Sequence, residues 1–532
     1  MLQSSKASNR FDATLVREEY YVSKPHITFT SPPERDFLES VARLGGGRVL
    51  LVGDLMLDET IRGAAERLSP DAPVPVLAVD NLNESVDRRP GGTANVAACL
   101  RGLEVAVDVV GLVGRDESGS ELRSMLQAIG CGVEGIIEDT HRPTTVKRSL
   151  LGLAQHRHPQ KMFRLDIESR QPADSGVVDA MMAAVEASLP HVDVVCLEDY
   201  GKGACSEELC KRLVKLCTDL NKTLLVDPAA IEDYSRYAGA TAITPNRSEA
   251  ELAAGARGAL DADLEAAAQL GEALRMKHNF ERLVLTLDRD GALLIEHGEV
   301  QHLPTEARSV YDVTGAGDMV IAGLAAGLAS GLDWLDSVRI ANIAAGLSVE
   351  RLGAVAIPRA SILRDALRIS GGEGGKVRQQ EDLLLELDIL RNDGRKIVLT
   401  NGCFDVIHAA HVAYLKEARK LGDVLVVGLN SDQQVRSLKG EERPIFNQTE
   451  RLEILEELAS VDYLVVFEEP TAHELIKAVQ PDLYVKGGDY APEQIAEFAL
   501  LGELGIEVQV LAERPGLGSS SVIDRIRAID HR

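Results

Sequence analysis

Short apolar runs recur along the chain, separated by amphipathic stretches of helical period. The runs Gly45–Asp54, Val105–Val113, Val192–Leu197, Thr223–Val226, Thr241–Ile243 and Leu283–Leu287 have the unalternating pattern of strands buried on both faces. Helical patterns such as Ser206–Leu220 and Leu264–Lys277 lie between them. This alternation predicts a parallel sheet covered on both sides. Residues 73–90 and 141–167 break the pattern, being extended, branched or charged, and predict a small β lid standing off the sheet. Around 366–380 four glycines lie among charges, the composition of a linker, and a helix over Asp382–Asn392 follows. A second α/β series has strands near 396–400, 424–430, 463–467, 483–486 and 507–511. The expected division is an irregular N-terminal extension over 1–44, a first domain over 45–365, a linker and connecting helix over 366–394, and a second domain over 395–532.

Length and charge sharpen this picture. A chain of 532 residues exceeds a single core. A formal charge of −26 argues against nucleic acid or an anionic membrane as partner. It also means that a phosphorylated substrate needs local basic groups or backbone donors. Seven cysteines without CxxC or zinc spacing read as reduced thiols of a cytoplasmic protein, with no metal site among them. No run of 18 apolar residues and no signal-peptide core is present. The first ~40 residues, with Ser-Pro-Pro at 31–33, read as a poorly ordered extension.

The first domain carries Asp312-Val-Thr-Gly315-Ala-Gly317-Asp318 ahead of an alanine-rich helical run. Glycines before a helix let backbone amides approach a transferring phosphoryl group. Asp318 can accept the proton of an attacking sugar hydroxyl. Alone, the same residues form a glycine turn with a capping aspartate. Upstream, Asn246-Arg247-Ser248-Glu249 follows a strand and can sit near metal-bound phosphate or cap a helix. Gly91-Gly92-Thr-Ala-Asn95 precedes another helix, and Asp54 and Asp58 follow the first strand.

In this order the elements resemble the ribokinase (PfkB) family over about 45–360. Arg67–Val76, Asp199-Tyr-Gly-Lys-Gly203 and Asp227-Pro228 are similar to its heptose 7-phosphate kinase branch. The resemblance implies a ribokinase-like fold with Asp318 as catalytic base. It places Asn246, Arg247, Ser248, Glu249, Gly315 and Gly317 on ATP or its Mg2+. Asp54, Asp58, Gly91, Gly92 and Asn95 would face the sugar, and Lys147, Arg148 and Arg164 the substrate's existing phosphate. Ala229-Ala230 stands where the branch usually has a lysine. Pairing through the lid, as in this family, implies a homodimer.

The second domain begins Lys396-Ile-Val-Leu-Thr-Asn401-Gly402-Cys-Phe404-Asp405-Val-Ile-His408-Ala-Ala410-His411. Two histidines three residues apart at a helix start share one face, beside unpaired N–H groups suited to polyphosphate. They equally suit a helix cap or an adventitious metal pair. The run resembles the TxGxFDxxHxGH signature of nucleotidyltransferases, with Ala410 in place of a glycine. Lys439, Arg443, Lys486 and a Gly516-Leu-Gly-Ser519-Ser520-Ser521 turn complete a likeness to heptose 1-phosphate adenylyltransferases of Rossmann-like fold. It implies catalytic roles for His408 and His411. ATP would be bound by Asn401, Gly402, Phe404, Lys486, Ser519 and Ser520, and substrate by Lys439 and Arg443. Together the two halves imply a bifunctional enzyme that phosphorylates heptose 7-phosphate and adenylylates heptose 1-phosphate for lipopolysaccharide core precursors. An active kinase with a degenerate nucleotide-binding module, or a sugar-phosphate cytidylyltransferase, remains open on the residues alone.

Overall fold

The computed structural model describes residues 26–511 except 30–34, 82–84, 154–159, 257, 259–262, 306–307, 309, 352, 371–374, 393 and 489–490. The chain forms two compact units that divide between Ala366 and Leu367.

In the first unit the strands are β1 (His26–Phe29), β2 (Arg48–Gly53), β3 (Leu55–Leu68), β4 (Pro75–Ala78), β5 (Val86–Gly92), β6 (Ala106–Gly114), β7 (Gly132–Asp139) and β8 (Thr145–Leu153). They continue as β9 (Gln160–Ile167), β10 (Val194–Glu198), β11 (Thr223–Asp227), β12 (Ala242–Ile243), β13 (Arg282–Thr286), β14 (Ala292–Glu296) and β15 (Glu299–Leu303). Ten of them make one sheet in the order β1-β15-β14-β13-β12-β11-β10-β2-β6-β7. From β13 through β7 every pairing is parallel, as expected for strands such as β10 whose residues are all buried. The hairpin β14–β15 supplies the antiparallel edge.

The lid is a separate sheet, ordered β4-β3-β8-β9 with β5 also on β3. Its central strand, β3, includes Asp58. The apolar run of β2 continues through Gly53-Asp54 into Leu55-Met-Leu57, so the chain changes sheets without a polar turn to mark it.

The N-terminal extension is corrected in part. Residues 26–29 add β1 parallel to β15, and a helix spans Arg35–Ala42. Phe37, Leu38 and Val41 of that helix are buried, giving it an apolar stripe that the surrounding polar composition hides.

In the second unit β16 (Ile397–Gly402), β17 (Val424–Asn430), β18 (Tyr463–Phe467), β19 (Leu483–Gly487) and β20 (Glu507–Leu511) are all parallel, in the order β18-β17-β16-β19-β20. Ile397 and Leu399 enter one core and Val398 the other, so both faces are covered. The connecting helix Gln380–Asn392 is more than a spacer: Leu383 and Leu387 are fully buried in this unit's core. The order in which strands are added reverses between β16 and β19, the later strands being laid on the other side of β16, which opens a crevice at their carboxyl ends.

Removing residues 1–44 strips four buried apolar side chains, Phe37, Leu38, Val41 and Leu44, each worth about 1.5–3 kcal/mol. Urea unfolding followed by fluorescence of the single tryptophan, Trp334, which lies in the first unit, is expected to show a clearly lower midpoint for the truncated protein.

Candidate active sites

In the first unit, Asp318 lies in the first turn of helix Ala316–Ala329, entered through Gly315 at φ 81°. That left-handed backbone accounts for the glycine. At Gly317 a Cβ would meet nothing, so space remains for a phosphate to approach the amides. The Asp318 carboxylate accepts 2.6 Å from Asn95 Nδ2 and 2.8 Å from the Tyr200 hydroxyl. Burial raises its pKa above the usual carboxylate value, against the pull of these two donors. A raised carboxylate at a helix start, with both oxygens oriented, can serve as a general base.

Asp54 does not face the sugar. It is buried at 2% exposure and accepts the backbone N–H groups of Tyr200, Lys202 and Ala204, each at 2.9 Å. Burial and the nearby Asp199 hold its pKa at about 6 despite these bonds. Its work is to clamp the loop after β10. Asp58 differs, its Oδ1 being buried without a hydrogen-bond partner among the described residues. Gly91 packs against it, since a Cβ there would lie 2.8 Å from the carboxyl group. Gly92, at φ 55°, is buried below Met56 and is a packing residue, which corrects its sugar-facing assignment. Asn95 is likewise turned to Asp318.

Around Asp58 the lid presents Lys147, Lys161 and Arg164, all close enough to favour its ionised form. Arg148 is on the opposite lid face, bonded 2.6 Å to the buried Glu59, so its phosphate assignment is corrected. Strand alternation makes this unavoidable for consecutive residues. Arg164 is itself paired with Asp166.

Asn246 and Glu249 form a reciprocal capping box on helix Arg247–Ala253, at 3.0 and 2.9 Å. Ser248 bonds to Asn246, and Arg247 bonds to Asp290. These three side chains other than Glu249 are therefore committed to local contacts and are corrected as ATP ligands. Glu249 lies near enough to Asp227 to raise that carboxyl's pKa. Beside Asp227, at the paired end of β10, Glu198 is fully buried with neither carboxyl oxygen partnered among the described residues. Burial and mutual repulsion raise both pKa values far above normal. Glu198 was not singled out by motif; an acidic residue ending an otherwise apolar strand is the signal that marks it. Asp227 keeps one bond, from the Thr244 hydroxyl at 3.1 Å, while Glu198 is orphaned, and a buried, unpartnered carboxyl beside a second acid fits a divalent cation. By contrast Asp54, Asp199 and Cys205 lie close together, yet their polar atoms are hydrogen-bonded.

In the second unit the β16/β19 crevice gathers the predicted residues. Asn401 Oδ1 accepts from the Tyr484 hydroxyl at 2.5 Å and Lys486 Nζ at 2.9 Å. Burial lowers the Lys486 pKa. His408 and His411 stack with ring centroids 4.0 Å apart at the start of helix Ala409–Arg419. His411 is pushed down to about 4 by burial, His408 and Lys439, so it is a neutral imidazole at pH 7. Lys439 is exposed at the end of its helix and close enough to act on that ring. Phe404 is buried at φ 46°, its ring 5.3 Å from that of His411. It backs the histidine and is corrected as a nucleotide contact. Arg443 is bound to the buried Asp405, whose other oxygen accepts the Ile445 N–H at 2.6 Å. This anchors the loop and corrects Arg443 as a free substrate ligand. Ser519 and Ser520 lie outside the described residues.

Residues 64–360 match the family described as pfkB family carbohydrate kinase, and residues 399–525 the cytidylyltransferase-like family. Over 489 residues the chain is 41% identical to the bifunctional protein HldE of Pseudomonas paraeruginosa, covering 92% of this chain and 99% of that one. The HldE proteins of Wolinella succinogenes (40% over 90% of this chain and 98% of that one) and Desulfatibacillum aliphaticivorans (38%, 90% and 96%) match similarly. The chain belongs to the bifunctional HldE family. It is a carbohydrate kinase fused to a nucleotidyltransferase.

Against the HldE relatives the match runs through both units, which disfavours a degenerate second half. Ala410 fits that view: it lies in the first turn of a right-handed helix, where alanine costs no backbone strain.

A histidine with a folded pKa near 4 and an unfolded value near 6.5 stays neutral in both states above 6.5. As pH falls from 6.5 to 4 the unfolded chain takes the proton first, so stability declines across that window. Thermal melts of the second unit are expected to show this decline, and His411→Asn to flatten it.

Proposed function

We propose that the protein makes ADP-heptose in two separated steps: ATP-dependent phosphorylation of heptose 7-phosphate at C1, and adenylyl transfer from ATP to heptose 1-phosphate. The observation that carries the reading is Asp318, a raised carboxylate held by two donors at a glycine-opened helix start, facing a lid with a basic inner surface. Asp318 takes the proton of the C1 hydroxyl as its oxygen attacks the γ-phosphorus and ADP departs. Asp58 accepts sugar hydroxyls, while Lys147 and Lys161, with Arg164, receive the 7-phosphate. Glu198, Asp227 and Glu249 are the residues that would hold Mg2+, which neutralises phosphate charge when bound.

In the second step a phosphate oxygen of the sugar attacks the α-phosphorus of ATP, and pyrophosphate leaves. His408 and His411 donate N–H bonds to phosphate oxygens, with Lys439 and Lys486 supplying charge. The 7-phosphate has to be removed by a phosphatase between the two steps. The seven free cysteines fit a cytoplasmic setting, and no described helix is long and apolar enough to cross a membrane.

Asp318→Asn is expected to lower heptose 7-phosphate phosphorylation by at least ~10³-fold, while pyrophosphate release from heptose 1-phosphate and ATP continues. His411→Ala should give the reverse pattern. Parallel loss of both activities in either variant would contradict two independent centres.

The dimer belongs to the same proposal. Phe163 and Leu165, 62% and 45% exposed, align with Leu150 on the outer lid face, an apolar strip suited to a second copy. Light scattering is expected to give a dimer at micromolar concentration, and Phe163→Asp a monomer.

A further inference from the structure

Asp318 is oriented by a residue that no motif assigns to it. Tyr200 sits in the loop after β10, and its hydroxyl donates to Asp318 Oδ1 at 2.8 Å. The loop owes its position to Asp54, which accepts the N–H of Tyr200 itself and of Lys202 and Ala204. Asn95, from helix Thr93–Gly102, holds the other carboxylate oxygen at 2.6 Å. One side-chain donor on each oxygen, joined by the Asp318 backbone N–H, fixes the carboxylate plane. Lys147 stands 5.7 Å from the centre of the Tyr200 ring, so the ring also meets the lid.

We propose that Tyr200 is a positioning residue of the kinase centre, whose phenol orients the Asp318 base and stabilises its ionised form. This rests on the kinase reading above. The phenol does not reach the sugar in this role; it acts through Asp318.

Several other groups bear on Asp318, and none can substitute for that bond. Asp58 from β3, Glu198 from β10 and Asp227 from β11 oppose its ionisation by repulsion. Cys99 on the Asn95 helix is a buried neutral thiol. Lys147 is the cation that favours ionisation, and it acts through space. Among these neighbours Tyr200 and Asn95 alone donate hydrogen bonds to the carboxylate.

The test is the pH dependence of kinase turnover in Tyr200→Phe, which keeps the ring and its lid contact and removes only the O–H. Asp318 works as the carboxylate, so turnover falls as pH drops through its pKa. Losing a donor to the charged form raises that pKa. The acid limb of kcat should therefore move up by about one pH unit, with plateau kcat falling several-fold and sugar KM nearly unchanged. A profile coincident with wild type, or a change confined to KM, would overturn the proposal. Fluorotyrosine at position 200 is the second arm, since a more acidic phenol is a stronger donor. It should move the limb down, a direction that misfolding cannot imitate, and an unmoved limb there also counts against the role. Failure of the wild-type enzyme to phosphorylate any sugar phosphate would instead remove the kinase reading itself.

Discussion

The first unit is organised around buried negative charge that must be compensated one group at a time. Glu198, Asp199 and Asp227 lie at the carboxyl ends of β10 and β11, and Asp54, Asp58, Glu249 and Asp318, brought in from other elements, are close enough to repel one or another of this group, in a protein whose net charge is −26. Each finds a different answer. Asp54 uses three backbone amides, Glu249 a helix cap, and Asp318 a phenol and an amide. Glu198 and Asp58 keep unpartnered oxygens and depend on what arrives. Leaving a buried acceptor unpaired costs about 1–3 kcal/mol. In the proposed function these are the positions given to a cation and a sugar, and the satisfied carboxylates brace those that are not.

The second unit meets the same chemistry from the other sign. Its crevice offers the neutral imidazole of His411, a lysine of depressed pKa and a helix start, all better satisfied when an anion is present. Around them, buried ion pairs do structural work. Arg451, with no exposed surface, donates to Cys403 O at 2.6 Å and Asn430 O at 2.9 Å, tying the ends of β16 and β17 together. Asp405 and Arg443 hold the following loop. Phe404 accepts a left-handed backbone to place its ring behind His411, local strain of the kind found where geometry matters more than stability.

Much of this was legible in the residue pattern. Strands buried on both faces have no alternation to blur, so the parallel strands of both units stand out as unbroken apolar runs. Gly315 ahead of the Asp318 helix and the Asn401-Gly402 strand end ahead of the histidine helix mark the two candidate sites, since both are read from residues adjacent in the chain. The pattern fails where an element is amphipathic and short, as in helix Arg35–Ala42, or where one strand runs into another sheet, as at Asp54. It fails also for side chains whose partners are remote. Asp54 and Asp58 are four residues apart and look equivalent, yet one is consumed by backbone donors some 146 residues away and the other keeps an unpartnered oxygen among the described residues.

By itself the sequence determined the two-unit α/β architecture, the lid and the reaction types, and it singled out Asp318 and the histidine pair on which the proposed function rests. Those depend on local periodicity and on motifs whose residues are neighbours in the chain. Only the tertiary structure decided which charged groups are available to a ligand. Asp54, Arg148, Arg247 and Arg443 are spent on contacts made by distant segments, while Glu198 and Tyr200 gain their places from them. Hydrogen bonding is saturable and directional, so whether a polar group is free depends on everything folded around it.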